Sequence, residues 1–388
     1  MRPGMHYDAI TFDTQTVETN SFHFDGGLLA QLKQFKGGPV RVVVSEIVVR
    51  EIFKHLVEKT RAARDGAAAA HKKAVDHGLA SQNMPFVADS VDIWAVARSR
   101  LEKFLRDIGA EIVRATNVPV GDLVDAYFQP SAPFSAAGKN KAEFPDAIAL
   151  FSLARWASEK NLKILAASQD KGWKAYAALH DWIDLRGELA DALSVLQKHA
   201  EDARAVVQVL LRSIDENAVP ELTRKFEFLL ATALSGYDVL GSAESFYEIE
   251  SDHVELELEE LWFVGDEDSY EFSLIQSGPN ILAAEVDLEV RVKAETSFYM
   301  SIYDSIDKDS TSAGSVTAQT DKEFELKVLI TVERDEPSSQ FEMSKLEILK
   351  GPRTIDFGFV EPDYEPEPEE NYEIPDDLPA VGNDEVPW

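Results

Sequence analysis

The chain contains no cysteine among its 388 residues. This absence excludes disulfide bonds, cysteine-ligated zinc sites and thiol nucleophiles. No apolar run is long enough for a membrane span, and the first residues do not have the pattern of a signal peptide, so we expect a cytoplasmic protein. The eight histidines show no H-x-x-x-H spacing, and their pattern therefore does not indicate a zinc site.

Basic residues are scarce in the second half of the chain, where most of the net charge of −32 is located. Residues 1–200 contain 25 Lys and Arg against 24 Asp and Glu, whereas residues 201–388 contain 13 against 46. The first half can therefore bind a polyanion, while the second half should repel one. We predict that the two halves have different functions.

The first half alternates buried strands with helices. Apolar runs at Ala9–Phe12, Val40–Val44 and Leu162–Ala167 are typical of strands in a parallel sheet, and Ser45 is placed to cap a following helix. Residues 58–115 have helical spacing, and the prolines and glycines of residues 119–138 indicate loops. This order predicts a doubly wound α/β fold with helices on both faces and its site at the carboxyl ends of the strands.

The second half changes character near Ser242, where apolar and charged residues begin to alternate. This alternation predicts antiparallel strands in a β-rich domain, either a sandwich or a barrel. Residues 361–388 contain 11 acids and no Lys or Arg, so we expect this tail to be disordered in isolation. The predicted domains are residues 1–240, 241–360 and 361–388.

Four acidic residues of the first half lie where a strand ends or a helix begins. Each alone has an ordinary explanation as a turn residue, a solvated helix residue or an acid at a helix N-terminus. Together they are expected at one edge of the sheet, where like charges repel and a divalent cation offsets the repulsion. These candidate residues are Asp13, Glu51, Asp146 and Asp170.

The order of these acids resembles that of the PIN domain family over residues 5–190. An Asp after the first strand is followed by a Glu in the next helix, an E-F-P-D-A segment at Glu143–Ala147, and an S-x-D segment after a later strand. The resemblance implies a metal-dependent nuclease in which carboxylates bind Mg²⁺ or Mn²⁺. The residues that match the family's catalytic, metal-binding acids are Asp13, Glu51, Asp146 and Asp170.

Three further features belong to this resemblance. Thr14 and Ser168 match the hydroxyl positions beside the first and last acids. Gln15 stands where the family usually has Asn, and Asn20 in the following loop is a candidate replacement. Glu46 is the nearest alternative to Glu51, but the family spacing favours Glu51.

Basic residues flank the third and fourth acids and are candidates for phosphate contacts. They are Lys139 and Lys141 before Asp146, and Lys171 and Lys174 after Asp170. Trp173 and Tyr176 could stack on an unpaired base, although core packing is the commoner role for such residues. The family favours RNA over DNA as the substrate.

Three functions are compatible with the sequence. The first is an active endoribonuclease, such as a toxin-like or defence enzyme, and the second is a PIN-fold nucleic-acid-binding or scaffold protein without turnover. The third is a nuclease inhibited by its own acidic half, because a tethered acidic tail can compete with RNA for a basic groove. The sequence is compatible with a homo-oligomer, and with the tail contacting this chain or a partner.

Overall fold

The computed structural model describes most of the chain between Tyr7 and Asp363. The predicted acidic tail lies outside the described residues from position 364 onward. No helix in the described part of the chain is long and apolar enough to cross a membrane. The ranges described are 7–81, 91–129, 131–134, 144–197, 201–266, 269–304, 309–336 and 339–363.

A five-stranded parallel sheet forms the centre of the N-terminal region, with the strand order β3-β2-β1-β4-β5. Strand β1 is central and pairs with β2 on one side and with β4 on the other, so the ends of β1 and β4 lie side by side. The first, second and fourth strands contain the apolar runs predicted to be buried. The strands are β1 Ala9–Phe12, β2 Arg41–Ser45, β3 Glu111–Val113, β4 Ile164–Ala167 and β5 Ile183–Arg186.

Helices separate and follow these strands, as expected for an α/β fold. The Ser45 side chain accepts a hydrogen bond from the Ile47 N–H and caps α3, as predicted. Short 3₁₀ helices occupy Leu32–Phe35 and Ala115–Asn117. The α-helices are α1 Thr14–Thr19, α2 Gly27–Gln31, α3 Glu46–Asp76, α4 Ile93–Asp107, α5 Val120–Phe128, α6 Phe144–Lys160, α7 Lys171–Ala177, α8 Leu189–Leu196, α9 Glu201–Asp215 and α10 Pro220–Ser235.

Two elements differ from the local predictions. Residues 58–115 were predicted to be helical throughout, but strand β3 lies within them. The strand was not predicted because three residues are too few to show the two-residue period of a strand. Helix α5 lies in the stretch predicted to be loops. Pro119 is the residue before its first turn rather than a helix breaker, and Leu123 and Ala126 are buried on one face.

The C-terminal region is β-rich, as predicted. Its largest sheet has six strands, with β11, β12, β13 and β14 in order and with β7 and β8 also paired to β12. The described pairings of this sheet are antiparallel. Strands β6 and β15 form a separate parallel pair. The strands are β6 Leu240–Glu244, β7 Glu248–Ser251, β8 Glu255–Phe263, β9 Gly265–Asp266, β10 Ser269–Tyr270, β11 Phe272–Ser277, β12 Ile281–Asp304, β13 Asp309–Glu333, β14 Glu342–Lys350 and β15 Thr354–Phe359.

The described residues divide into two compact units. The first contains residues 7–237, 257–292 and 323–352, and it therefore combines the parallel sheet with part of the antiparallel one. The second contains residues 238–256, 293–322 and 353–363, with a small core around Phe298, Met300 and Val360. The domain boundaries after residues 240 and 360 stay a prediction.

Within the first unit, the antiparallel sheet shares the core of the parallel one. Ile275, Ala283 and Leu329 belong to the same buried cluster as Ile10 and Phe12 of β1. Both of these sheets therefore depend on one hydrophobic core for burial of their apolar faces.

A polar network joins the same two parts of the first unit. Gln34 donates to the Ile275 carbonyl at 3.1 Å, and Gln197 donates to the Gln34 side-chain oxygen at 2.8 Å. Ser277 completes the network by donating to Gln197 at 2.7 Å. Because these bonds have direction, they fix the register of β11 in a way that apolar contacts alone do not.

A buried carboxyl lies in β12 of the first unit. Glu285 is 8% exposed, and its Oε1 is 3.7 Å from Lys327 Nζ, which lies closer to Asp287, at 2.8 Å. Burial raises the pKa of Glu285 to about 7, and nearby acids including Asp287 add to the effect, while Lys327 opposes it. Between about pH 4.5 and pH 7, the Glu285 carboxyl is therefore protonated in the folded protein and ionised in the unfolded chain.

We expect this carboxyl to make stability depend on pH. Because its folded pKa lies above the ordinary value of 4.5, its contribution is present at low pH and is lost as pH rises from about 4.5 to about 7. Glu285→Gln should remove this loss and raise the free energy of unfolding above pH 7 by on the order of 2 kcal/mol. Urea unfolding between pH 5 and 8 measures this free energy. The control is Glu257→Gln, the same change at an exposed residue. Parallel pH curves for wild type and Glu285→Gln would contradict the prediction.

Candidate metal and nuclease site

Asp13 lies at the end of the central strand and caps the helix that follows. Its Oδ1 accepts hydrogen bonds from the Thr16 backbone N–H and hydroxyl, both at 2.7 Å, and its Oδ2 accepts one from the Ser168 hydroxyl. The residue is only 3% exposed. Burial raises the pKa of the Asp13 carboxyl, while the bonds from Ser168 and Thr16 favour its ionised form.

Ser168 and Asp170 follow β4, the neighbour of β1. The Asp170 N–H donates to the Ser168 hydroxyl oxygen at 3.0 Å, and Asp170 Oδ1 accepts from the Trp173 N–H at 2.9 Å, which caps α7. The Thr16 hydroxyl, whose single proton is shared with Asp13 Oδ1, also lies 2.9 Å from the Ala167 carbonyl oxygen. The parallel pairing of β1 with β4 therefore places Asp13 beside the Ser168–Asp170 turn.

Asp146 lies in the first turn of α6. The Trp173 indole N–H donates to Asp146 Oδ1 at 2.9 Å. Burial is the main cause that raises the pKa of Asp146 to about 6, and the negative charges of Asp170, Glu51 and Asp13 add to it. The Trp173 hydrogen bond acts in the opposite direction. Asp146 is therefore close enough to all three other acids to be affected by their charges.

Glu51 extends from α3 toward the helix that Asp13 caps. The Thr14 hydroxyl donates to Glu51 Oε2 at 2.8 Å, so the predicted hydroxyl and the predicted acid contact each other. Glu46 is engaged elsewhere, since its carboxylate accepts from Arg50 at 2.6 Å and from the Ala115 N–H at 3.0 Å. The structure thus brings Glu51, rather than Glu46, next to Thr14.

The residue types suit a hard divalent cation, but their present spacing is not that of a metal site. Carboxylate oxygens are the ligands that Mg²⁺ and Mn²⁺ prefer. Within the described ranges, however, no three histidine, aspartate or glutamate side chains form a group that could hold one ion. The donor chemistry therefore fits a metal, while the carboxylates would need to approach one another to ligate it.

Two aromatic residues proposed as base-stacking groups lie in the core. Trp173 is fully buried and Tyr176 is 4% exposed, so neither ring can stack on a base. Both lie on the buried side of α7, the helix that Asp170 caps. Trp173 instead holds Asp146, a role that the sequence analysis missed and that no spacing rule would have revealed.

Thr16 was also missed, although a signal for it was present. An Asp followed three residues later by a hydroxyl residue is a common arrangement at the start of a helix. Gln15 is exposed in the first turn of α1. Asn20 donates its side-chain N–H to the Thr16 carbonyl at 2.8 Å, at the end of α1. Its replacement of the usual Asn stays a prediction.

The predicted basic residues divide into two groups. Lys139 and Lys141 lie outside the described residues. Lys171 and Lys174 are exposed on α7, directly after Asp170, and neither forms an ion pair with another described residue. Both cations therefore remain available for a phosphate.

The comparisons with known proteins bear on the family of this region. A family model described as a PIN domain matches residues 10–173, a range that contains all four acids and Trp173. The chain thus contains a PIN-like domain, in a family of generally metal-dependent nucleases. The E-F-P-D-A subgroup stays a prediction. Neither a curated protein nor a solved structure matches the chain.

Removing the indole donor should raise the pKa of Asp146 further. In Trp173→Phe the hydrogen bond that favours the ionised carboxylate is lost, so we expect a pKa above about 6 and a loss of about 1 kcal/mol in stability at neutral pH. Carboxyl-carbon NMR during a pH titration measures the shift.

The matched control for this measurement is Trp156→Phe, which removes another indole donor from the same domain. Trp156 donates to Glu111 at 2.7 Å and not to Asp146, so the Asp146 pKa should stay at its wild-type value. Equal Asp146 titrations in wild type and Trp173→Phe would contradict the prediction.

Proposed function

We propose that the PIN-like domain is a metal-dependent endonuclease that cleaves RNA. The observation that supports this most is geometric. Asp13 bonds Ser168 in the turn after β4, and the two N–H groups of Trp173 bond Asp170 and Asp146. Burial is the main cause of the raised pKa of Asp146, and the negative charges of the other three acids add to it. Such a collection is unfavourable without a cation. Asp13, Glu51, Asp146 and Asp170 are the residues that would hold Mg²⁺ or Mn²⁺.

When bound, the metal would lower the pKa of a water molecule and stabilise charge on the scissile phosphate. The protein's own part is to hold the carboxylates ionised and oriented. Ser168 and Thr16 do this for Asp13, Trp173 for Asp146, and Thr14 for Glu51. Lys171 and Lys174 would contact phosphates of the substrate beside the site.

A second candidate is a PIN-fold protein that binds RNA without cleaving it. The spacing of the acids, which in the described residues does not yet form an ion site, favours this alternative, as does Gln15. A third is a nuclease inhibited by its acidic half, which would cleave only after residues 361–388 are removed. The same cleavage assay, on full-length and truncated protein, distinguishes these candidates.

Asp13→Asn should abolish cleavage of single-stranded RNA in Mn²⁺, by about 100-fold or more. Asn keeps the size of the side chain and its helix-capping oxygen, and it relieves charge repulsion, so thermal stability without metal should be unchanged or slightly raised. Manganese binding, measured by calorimetry, should weaken in the same variant. In the wild type, manganese binding should strengthen as pH rises through about 6, since the metal-free Asp146 carboxyl must lose its proton to bind the ion.

The matched control is Asp92→Asn, which makes the same change at another helix N-cap, that of α4. It should leave cleavage and manganese binding unchanged. Marked unfolding of Asp13→Asn, or full activity in it, would contradict the nuclease proposal. A DNA substrate in parallel tests the choice of RNA.

Reversing two lysine charges should weaken RNA binding. In an Asp13→Asn background, which prevents cleavage, Lys171→Glu with Lys174→Glu should lower affinity and make its salt dependence shallower, because fewer counterions are released. Fluorescence anisotropy at several salt concentrations measures both. The control is Lys72→Glu with Lys73→Glu at the far end of α3. If affinity and salt slope are the same in both double variants, the RNA contacts lie elsewhere.

A further inference from the structure

An exposed tryptophan lies on α4, beside the helix that carries Glu51. Trp94 is 54% exposed, the largest exposed fraction of any tryptophan in the described ranges. Its ring packs against Phe53 of α3, with the ring centroids 5.7 Å apart. The remainder of the indole is open to solvent, although it is a large apolar surface. The indole is therefore available to a ligand that stacks on a flat ring.

A cation accompanies this ring. Arg98 lies one helical turn after Trp94, on the same side of α4. Its guanidinium group is 5.8 Å from the centre of the Phe53 ring, so Phe53 supports both side chains. Arg98 is exposed and forms no ion pair with another described residue. Its N–H groups can therefore donate to an anion such as a phosphate.

The surrounding charge favours a polyanion as well. Helix α4 contains four Arg and Lys residues against two acids, in a chain whose net charge is −32. A cationic surface with an exposed aromatic ring is the combination that binds single-stranded nucleic acids, because the cations contact the backbone and the ring stacks on a base.

The second exposed tryptophan, Trp262 of β8, shows why charge matters here. It also has an arginine over its ring, since the guanidinium of Arg291 is 5.4 Å from the ring centre. That arginine, however, bonds Glu260 at 2.8 Å and Glu323 at 2.6 Å. Its charge is thus matched by carboxylates of the protein, whereas that of Arg98 is left for a ligand.

The Trp94 platform and the candidate metal site lie on two flanks of α3. Phe53 follows Glu51 by two residues, so their side chains are about 160° apart around the exposed face of the helix. Ile52 is buried on the opposite face. Lys54 is exposed between the two flanks and forms no ion pair with another described residue. A strand of a few nucleotides can cross this face, which is about 10–12 Å wide.

We propose that Trp94 and Arg98 bind one unpaired base and its phosphate in a single-stranded RNA that crosses α3 to reach the four acids. This inference rests on the proposed function. It gives Trp94 the stacking role that the buried rings of Trp173 and Tyr176 cannot have. Because every base has a π face, the site accepts unpaired RNA of any sequence, whereas the bases of a duplex are already stacked on one another.

Binding of a short single-stranded RNA to the full chain, followed by fluorescence anisotropy without divalent metal, tests this site. Trp94→Leu keeps an apolar contact with Phe53 but has no flat ring, so affinity should fall about tenfold. Affinity for an abasic oligomer of the same length should not change, since the phosphate contacts remain. Trp262→Leu is the matched control and should leave both affinities unchanged.

Two further variants separate stacking from an effect on folding. Trp94→Phe retains a flat ring and should restore most of the affinity that Trp94→Leu loses. Arg98→Gln should weaken binding of both oligomers and make its salt dependence shallower, because one phosphate contact is lost.

Three results would overturn the proposal. The first is equal RNA affinity in Trp94→Leu and Trp262→Leu. The second is an equal loss for the base-containing and abasic oligomers in Trp94→Leu, because no base would then stack on the ring. The third is a changed oligomeric state of Trp94→Leu in sedimentation with unchanged RNA affinity, which would assign the ring to a second copy.

The cleavage assay keeps this proposal distinct from that of the nuclease. If the wild type cleaves RNA in Mn²⁺ and Trp94→Leu binds RNA as the wild type does, the stacking site alone is rejected. If RNA binding depends on Trp94 but the wild type does not cleave, the nuclease proposal alone is rejected.

Discussion

The hydrogen bonding of one buried carboxylate, Asp13, connects most of the features around the candidate site. Its two oxygens accept three hydrogen bonds, from the start of α1 and from Ser168 after β4. A carboxylate that is 3% exposed requires such partners. Its burial therefore fixes the beginning of α1, the position of the turn after β4, and through that turn the capping of α7 by Asp170. The local geometry thus follows from the need of one carboxylate, that of Asp13, for hydrogen-bond donors.

The other acids are held by uncharged donors as well. Thr14 bonds Glu51, the Trp173 indole bonds Asp146, and the Trp173 backbone bonds Asp170. A neutral donor orients a carboxylate and favours its ionised form, but it does not cancel its charge. The negative charge of the group therefore remains, and it adds to burial, the main cause, in raising the pKa of Asp146. If lysines or arginines neutralised these acids, the site would lack the negative charge that attracts a divalent cation.

Much of this fold could be predicted from the sequence, because buried parallel strands are visible as apolar β-branched runs. The run Val40–Val44 and its Ser45 cap correspond closely to β2 and α3. Strand β3 was missed because three residues carry no period. Helix α5 was missed because Gly121 and the prolines on either side of the helix are typical of a loop. The order of the acids identified candidates, but the donors that hold them come from distant parts of the chain. Trp173 contacts Asp146 across 27 residues, and no local pattern encodes that contact.

The acidic C-terminal half illustrates a different limit. Alternation of apolar and charged residues predicts a strand with one buried face, but it does not say which surface covers that face. Here Ile275, Ala283 and Leu329 are buried in the same core as β1, and Gln34 and Gln197 bond the neighbouring strand. Strands that follow the change in charge therefore share a hydrophobic core with strands that precede it. The apolar faces of these strands help to support the sheet that carries the candidate site.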